Sequence, residues 1–195
     1  MRLILSTDNE NKVREIIDLL EGTGLEILSK KEAGLGEIDV IEDKDTLEGN
    51  ASLKAMALAE KTDDLILADD TGLFVEALGG EPGVKSARYA GDHDEKKNRA
   101  KLLKNLKGEK NRSAYFKTAL ALVDKNKRVK FLEGICQGEI AEEEKGNEGF
   151  GYDPIFIPKG FKKSFGQMTE EEKNALSHRG RALQKLKEYF TNNKY

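Results

Sequence analysis

The chain is poor in the features that mark secreted or membrane proteins. It has one cysteine, Cys136, among 195 residues. That excludes an internal disulfide framework and suits a reducing compartment. Cys136 itself reads as a small buried apolar residue. No apolar run approaches the ~18 residues that a membrane-spanning helix needs. The N-terminus passes directly into a strand-like segment without the apolar core of a signal peptide, so a cytoplasmic location and no membrane partner are expected. Basic excess is missing as well. Lys and Arg number 33 against 36 acids, a net charge of −3, so no nucleic-acid partner is expected, although a local basic pocket is compatible with that balance. Internal repeats, long linkers and low-complexity tracts are missing, and so is the Gly-rich G-x-x-x-x-G-K-[ST] phosphate loop.

What is present is a chain of 37% hydrophobic and 35% charged residues, long enough for one sizeable core or two small lobes. Arg2 to Ser6 reads as a buried strand, followed by a helix from near Asn9 with Val13, Ile16, Ile17 and Leu20 on one face. Leu25 to Leu28 reads as a second strand and Gly34 to Lys44 as an acidic loop or edge. Leu47, Ala51, Ala55 and Leu58 suit an Ala-rich helix. Leu65 to Ala68 predicts a third strand, and Leu73 to Leu78 a short helix or strand before a Gly/Pro turn. Asp94 to Leu106 predicts a helix. Ser113 to Val123 and Val129 to Cys136 predict strands joined by a turn at Asp124 to Lys127. A short strand at Ile155 to Ile157 and a C-terminal helix carrying Leu176, Leu183, Leu186 and Phe190 complete the pattern. Alternating strands and helices, then an antiparallel meander, predict an α/β protein with a mixed sheet.

The most informative run is Leu67 to Gly91, "LADDTGLFVEALGGEPGVKSARYAG". An apolar strand ending in the adjacent acids Asp69 and Asp70 is one way to hold a hard cation at a sheet edge; the plainer alternative is that the acids open a turn. Ser6 to Lys12, "STDNENK", places a polar turn between a strand and a helix start. Open N–H groups and the helix dipole favour an anion there, with Thr7, Asn9 and Lys12 adding donors. The alternative is an N-cap by Thr7 or Asp8 with Lys12 in solvent. Asn50 and Lys54 share a helix face at i, i+4 and could equally be a surface pair. Glu42 could add a carboxylate, but nothing local separates it from Asp39 and Asp43. In "NEGFGYDPIFIP", Gly149 and Gly151 flank Phe150, and Tyr152, Asp153 and Pro154 follow. An aromatic beside a carboxylate suits a nucleobase; the alternative is a turn whose aromatics fill the core. In "TEEEKNALSHRGRAL", Thr169 and Glu172 form a capping box. On one unbroken helix Lys173 and His178 would point about 140° apart. A break at Ser177 would let Lys173, His178 and Arg179 converge, and that break is predicted.

Five segments, "STDNENK", "EGNASLKA", the long run at Leu67 to Gly91, "EGFGYDPIFIP" and "EEKNALSHRGRAL", together resemble the inosine triphosphate pyrophosphatase family. Its members are also described as Ham1-like, non-canonical purine NTP pyrophosphatases or dITP/XTP diphosphatases. The segments keep the family's order from Thr7 to Leu183. Asp8 stands where the family usually has Gly and Thr71 where Ser is usual. The resemblance implies one domain over residues 1–195, with an elongated mixed β-sheet flanked by helices and two lobes with a substrate cleft between them. It implies hydrolysis of ITP, dITP and XTP to the monophosphate and pyrophosphate with Mg²⁺, in a homodimer. It implies that Thr7, Asp8, Asn9, Glu10, Asn11, Lys12 and Lys54 hold the triphosphate. Glu42 and Asp70 match the metal-binding carboxylates, Asp70 also being the general base, and Thr71 a substrate contact. Phe150, Gly151, Tyr152, Asp153, Lys173, His178 and Arg179 match the nucleotide and base pocket. Asp69 has no assigned role. The competing readings are a pyrophosphatase of different base preference, a catalytically silent nucleotide-binding module, and a nucleic-acid-binding protein, which the acidic balance disfavours.

Overall fold

The computed structural model describes residues 1–7, 9–91 and 93–192. Seven strands form one sheet in the order β2-β1-β3-β5-β6-β7, with β4 paired to β3. The strands are β1 (Arg2–Leu5), β2 (Glu26–Ser29), β3 (Leu65–Val75), β4 (Pro82–Gly83), β5 (Ser113–Val123), β6 (Val129–Ile140) and β7 (Phe156–Pro158). The helices are α1 (Glu10–Leu20), α2 (Leu47–Ala59), α3 (Glu95–Asn105), α4 (Glu170–Leu176) and α5 (His178–Asn192). β1 runs parallel to β2 and β3, while β3–β4 and β6–β7 are antiparallel. The sheet is therefore mixed, as the alternation of strand and helix signals predicted. The chain packs into two compact units, one of Met1–Asp70, Thr118–Gly134 and Arg181–Tyr195, the other of Thr71–Lys117 and Ile135–Gly180.

In the first unit, β1 and β3 read as continuous apolar runs because both of their faces are covered, as parallel strands require. Side chains alternate across a strand. Leu3, Leu5, Leu65 and Leu67 pack with Ile16 and Leu20 of α1 and Ala182, Leu183 and Leu186 of α5. Ile4, Ile66 and Ala68 face the other way, onto Ala51, Ala55, Leu58 and Ala59 of α2. The small side chains of α2, spaced four apart, allow close packing on that face. Of the stripe predicted on α1, Ile16 and Leu20 are buried but Ile17 is 43% exposed; the buried face takes Glu15 instead. The expected turn at Asp124 to Lys127 joins β5 and β6, with the Lys127 N–H donating to the Asp124 carbonyl at 2.9 Å and the Asp124 N–H to the Arg128 carbonyl at 3.2 Å.

The second unit has its own core of Leu73, Val75, Leu102, Leu106, Phe116, Ile155, Phe156, Phe165 and Met168. Phe156 sits edge-on to Phe116 at 4.7 Å between ring centroids and lies 5.2 Å from Phe165. The end of the third strand differs from expectation. β3 does not stop at Ala68 but continues through Asp69 and Asp70 to Val75, because Leu73 and Phe74 pair with Gly83 and Pro82 of β4. A single 3-10 turn, Glu76–Leu78, then ends the run. The helix break at Ser177 is present: Ser177 Oγ accepts the Gly180 N–H at 2.9 Å and starts α5. A Cβ on Gly180 would fall 1.9 Å from the Asn174 carbonyl oxygen, so the junction closes only around glycine. Phe156→Ala should destabilise the fold by about 3–5 kcal/mol through the cavity it leaves, read as a lower urea midpoint with an unchanged m-value.

Candidate functional site

The alternation of β3 decides where its acids go. Leu65 and Leu67 face α1 and α5, while Ile66 and Ala68 face α2. Asp69 therefore points to the side of α1 and Asp70 to the side of α2. Lys12 of α1 meets Asp69, Nζ to Oδ2 2.9 Å. Lys54 of α2 meets Asp70, Nζ to Oδ1 3.6 Å, and Asn50, one turn earlier, donates from Nδ2 to Asp70 Oδ2 at 3.3 Å. Asn50 and Lys54 are thus partners of one carboxylate rather than a surface pair. Asn50 is also held to the chain at Lys44, whose N–H donates to Asn50 Oδ1 at 3.0 Å. Glu42 comes from the loop before α2 and reaches Lys54 Nζ at 3.0 Å. Three carboxylates are thus gathered with two ammonium groups, leaving the cluster one negative charge in excess.

That imbalance and the donor set suit a hard cation. Glu42 and Asp70 both lie within 4 Å of one point, the Lys54 ammonium, and both offer oxygen only. Among the described residues no group of three or more His, Cys, Asp or Glu side chains is assembled to hold a metal. Two carboxylates without a full protein cage suit a hard cation that keeps some of its water ligands. Burial is the largest influence on Asp70 and raises its carboxyl above the ordinary range; Glu42 and Asp69 add to this, and Lys54 and Lys12 oppose it. For Lys54 burial works against the charge, but Asp70, Asp69 and Glu42 outweigh it and hold the ammonium above its ordinary pKa.

The turn before α1 is organised differently from the expectation. Asn9, not Thr7 or Asp8, is the N-cap. Its Oδ1 accepts the N–H groups of Asn11 and Lys12 at 3.1 and 3.2 Å, so those two donors are not open to an anion. The Asn9 N–H in turn donates to Thr7 Oγ1 at 3.2 Å. Glu10 and Asn11 are exposed in the first turn, and Asp8 lies outside the described residues. Lys12 is not a solvated lysine, since its ammonium is placed by Asp69. Thr71 follows Asp70 in β3 and is half-buried.

The second unit holds a different cluster. The predicted break between α4 and α5 brings Lys173 and Arg179 to the same aromatic ring. Lys173 Nζ lies 4.4 Å and Arg179 Cζ 5.5 Å from the centre of Phe150, both within cation–π range. Lys173 also pairs with Asp153, Nζ to Oδ2 3.0 Å. His178 stacks on Phe116 at 4.5 Å and is buried. Phe150 itself is half-buried. Tyr152 and Asp153 both have partners within the protein. The Tyr152 hydroxyl donates to the Ser86 carbonyl at 2.8 Å, and burial pushes its pKa far above the ordinary tyrosine value. Asp153 accepts the Phe150 N–H at 2.8 Å. Gly149, at φ +73°, is needed for this: a Cβ there would lie 2.1 Å from Asp153 Oδ2. Gly151 presents its carbonyl to Arg99 at 2.7 Å. Arg99 gave no sequence signal, because in the charge-rich run of α3 it is indistinguishable from its solvated neighbours.

Fold and side chains together define a mixed-sheet α/β protein with a carboxylate–lysine cluster in one unit and a cation–aromatic cluster in the other. Comparison with known proteins makes this specific. The sequence model described as the Ham1 family matches residues 3–189. The dITP/XTP pyrophosphatase of Caldanaerobacter subterraneus subsp. tengcongensis is 48% identical over 194 residues, covering 97% of this chain and 96% of the relative. That of Clostridium tetani is 48% identical over 191 residues, covering 95% and 94%. The solved Ham1 protein of Staphylococcus aureus superposes with a TM-score of 0.91 at 33% identity over the whole of both chains. A HAM1 protein from Coxiella burnetii gives 0.91 at 35% identity, covering 99% of this chain and 100% of that one. The chain belongs to the Ham1 family.

The raised carboxyl of Asp70 means that the metal-free fold disfavours its charged form relative to the unfolded chain. Its contribution to stability is present below the ordinary carboxylate range and is lost as pH rises through the folded-state pKa. Asp70→Asn should therefore raise the Tm of chelator-treated protein at pH 7, each 1 kcal/mol gained being worth ~2–4 °C in a chain of this size. The difference should close toward pH 4, as followed by circular dichroism.

Proposed function

We propose that the protein hydrolyses the non-canonical purine nucleoside triphosphates ITP, dITP and XTP to the monophosphate and pyrophosphate, cleansing the nucleotide pool, and that the chain acts as one functional domain. The observation that carries this reading is the convergence of Glu42 and Asp70 on Lys54, with Asn50 donating to Asp70 and Lys12 held by Asp69 at 2.9 Å. The dITP/XTP pyrophosphatases, nearly half identical across almost their full length, support it.

Glu42 and Asp70 would hold Mg²⁺, which when bound supplies charge neutralisation at the phosphates and a more acidic water. Asp70 accepts the proton of the attacking water. The water oxygen forms a bond to the α-phosphorus, and the bond from that phosphorus to the oxygen bridging the β-phosphate breaks. The electron pair leaves with pyrophosphate. Lys12 and Lys54 stabilise the charge that develops on the leaving group, and each is pre-aimed by a buried carboxylate, so little reorganisation is needed at the moment of reaction. Thr7, Asn9 and Thr71 contribute hydroxyl and amide groups to the same phosphates. Phe150 provides the face on which the base stacks. Arg179 and His178 donate to the 6-oxo group of hypoxanthine or xanthine. Adenine carries an amino donor at that position and would leave a protein donor unpaired, a mismatch that can cost ~10⁴ in discrimination at a well-built site. The reading extends to a cytoplasmic homodimer without a nucleic-acid or membrane partner; no helix among the described residues is long and apolar enough to cross a membrane.

The test is a panel of nucleoside triphosphates scored for both products. ITP, dITP and XTP should each yield monophosphate and pyrophosphate in a Mg²⁺-dependent reaction, with ATP at least ~10²-fold slower in kcat/KM. Asp70→Asn should lower kcat by about 10²–10⁴, the range for loss of a general base. Preference for a pyrimidine triphosphate would replace the base assignment. Binding of ITP without pyrophosphate release would make the chain a silent binding module.

A further inference from the structure

Resting on the assignment of Phe150 to the base, we propose that Arg99 is a positioning residue that holds the Phe150 segment in the conformation that binds the nucleotide. Arg99 lies on α3, and the contacts that define its place are to α3 itself and to two loops, not to the Phe150 ring. Its Nη1 donates to the Gly151 carbonyl at 2.7 Å. Its Nε donates to Glu144 Oε1 at 3.0 Å, and Glu95 lies 3.9 Å from Nη1. The Arg99 side chain is only 13% exposed, whereas those of Glu95 and Glu144 are 49% and 41% exposed. A side chain that buries its charge to reach a backbone carbonyl is held for that carbonyl, since one surface carboxylate alone would contribute little.

The carbonyl that it holds belongs to the residue after Phe150. The other fixed points of the segment surround the ring in the same way. Asp153 accepts the Phe150 N–H at 2.8 Å, and the Asp153 N–H donates back to the Phe150 carbonyl at 3.2 Å. Tyr152 is pinned through its hydroxyl to Ser86. Gly149 and Gly151 stand on either side at φ +73° and +63°, and glycine backbone keeps the conformation only where something else fixes it. On the Gly149 side that restraint is the Asp153 carboxylate. On the Gly151 side it is Arg99. The planar fork of arginine suits the task, because one edge meets Glu144 while another nitrogen meets the carbonyl; lysine keeps the charge but cannot keep both bonds in that geometry.

The chain has no tryptophan, so Phe150→Trp introduces a single fluorophore at the ring in question. In that background Arg99→Ala should increase acrylamide quenching of the introduced indole, and Arg99→Lys should increase it less. In the otherwise wild-type enzyme, Arg99→Ala should raise KM for ITP ~10-fold, as expected for loss of one charge-assisted hydrogen bond. The same variant should change kcat by less than ~2-fold, the signature of lost binding rather than lost transition-state stabilisation. Affinity for inorganic tripolyphosphate, which has no base, should be unchanged, and Arg99→Lys should recover part of the KM. Unchanged quenching in both variants, or equal losses toward ITP and tripolyphosphate, would overturn the role of Arg99. A wild type inactive on ITP in which Arg99→Ala still increases quenching would instead overturn the nucleotide assignment and leave the positioning role standing.

Discussion

Adjacent residues of a β-strand point to opposite faces, and the chemistry of this chain depends on that constraint at Asp69 and Asp70. Because β3 continues as a strand through both acids, they cannot act as a side-by-side pair. Asp69 is delivered to Lys12 and Asp70 to Lys54 and Asn50. The same alternation places Leu65 and Leu67 against α1 and α5, and Ile66 and Ala68 against α2. One register therefore fixes both the hydrophobic layers and the division of labour between the acids. A slip of one residue would turn the leucines onto the Ala-rich face of α2 and exchange the lysine partners together. Strong specification of register by burial is thus also specification of the site.

The electrostatics follow from this placement. Asp70 is buried enough that its charge is disfavoured despite two nearby lysines. Lys54 gains more from three carboxylates than it loses by burial. The cluster carries one uncompensated negative charge, a standing cost to the fold that a bound cation would relieve. Function and stability are opposed here, as is common where a site must be ready for a charged ligand. The second unit sets two cations, Lys173 and Arg179, against one carboxylate and an aromatic face. Lys173 is shared between Asp153 and the face of Phe150, so one ammonium both orders the turn and polarises the ring. A glycine serves this turn: Gly149 is small because the Asp153 carboxylate must pass where a Cβ would be.

Much of this was legible in the sequence, and the failures have particular causes. The apolar runs of β1 and β3, the helix start near Asn9, the Thr169–Glu172 capping box and the break at Ser177 are local signals and are present. The break was inferred because Lys173 and His178 could not share a face on one helix, a geometric argument that needed no partner in space. The end of β3 was misplaced because acids read as turn formers, whereas pairing of Leu73 and Phe74 with β4 carries the strand past them. Tyr152 and Asp153 were read from residue type alone; the bond of Tyr152 to Ser86 and the ion pair of Asp153 with Lys173 join segments apart in sequence, which no local pattern shows. Arg99 left no trace for the same reason, since the carbonyl it serves lies 52 residues away.

The central claim is that strand alternation gives Asp69 and Asp70 different partners and therefore different work. It is tested most directly by titrating Mg²⁺ into the ITP hydrolysis of Asp69→Asn and comparing both the metal dependence and KM with wild type. The account predicts an unchanged Mg²⁺ midpoint with a raised KM for ITP, because Lys12 loses its carboxylate while Glu42 and Asp70 remain in place. A Mg²⁺ midpoint shifted upward ~10-fold or more, the size expected when a group that supports a metal is lost, with KM for ITP unchanged at saturating metal, would contradict it.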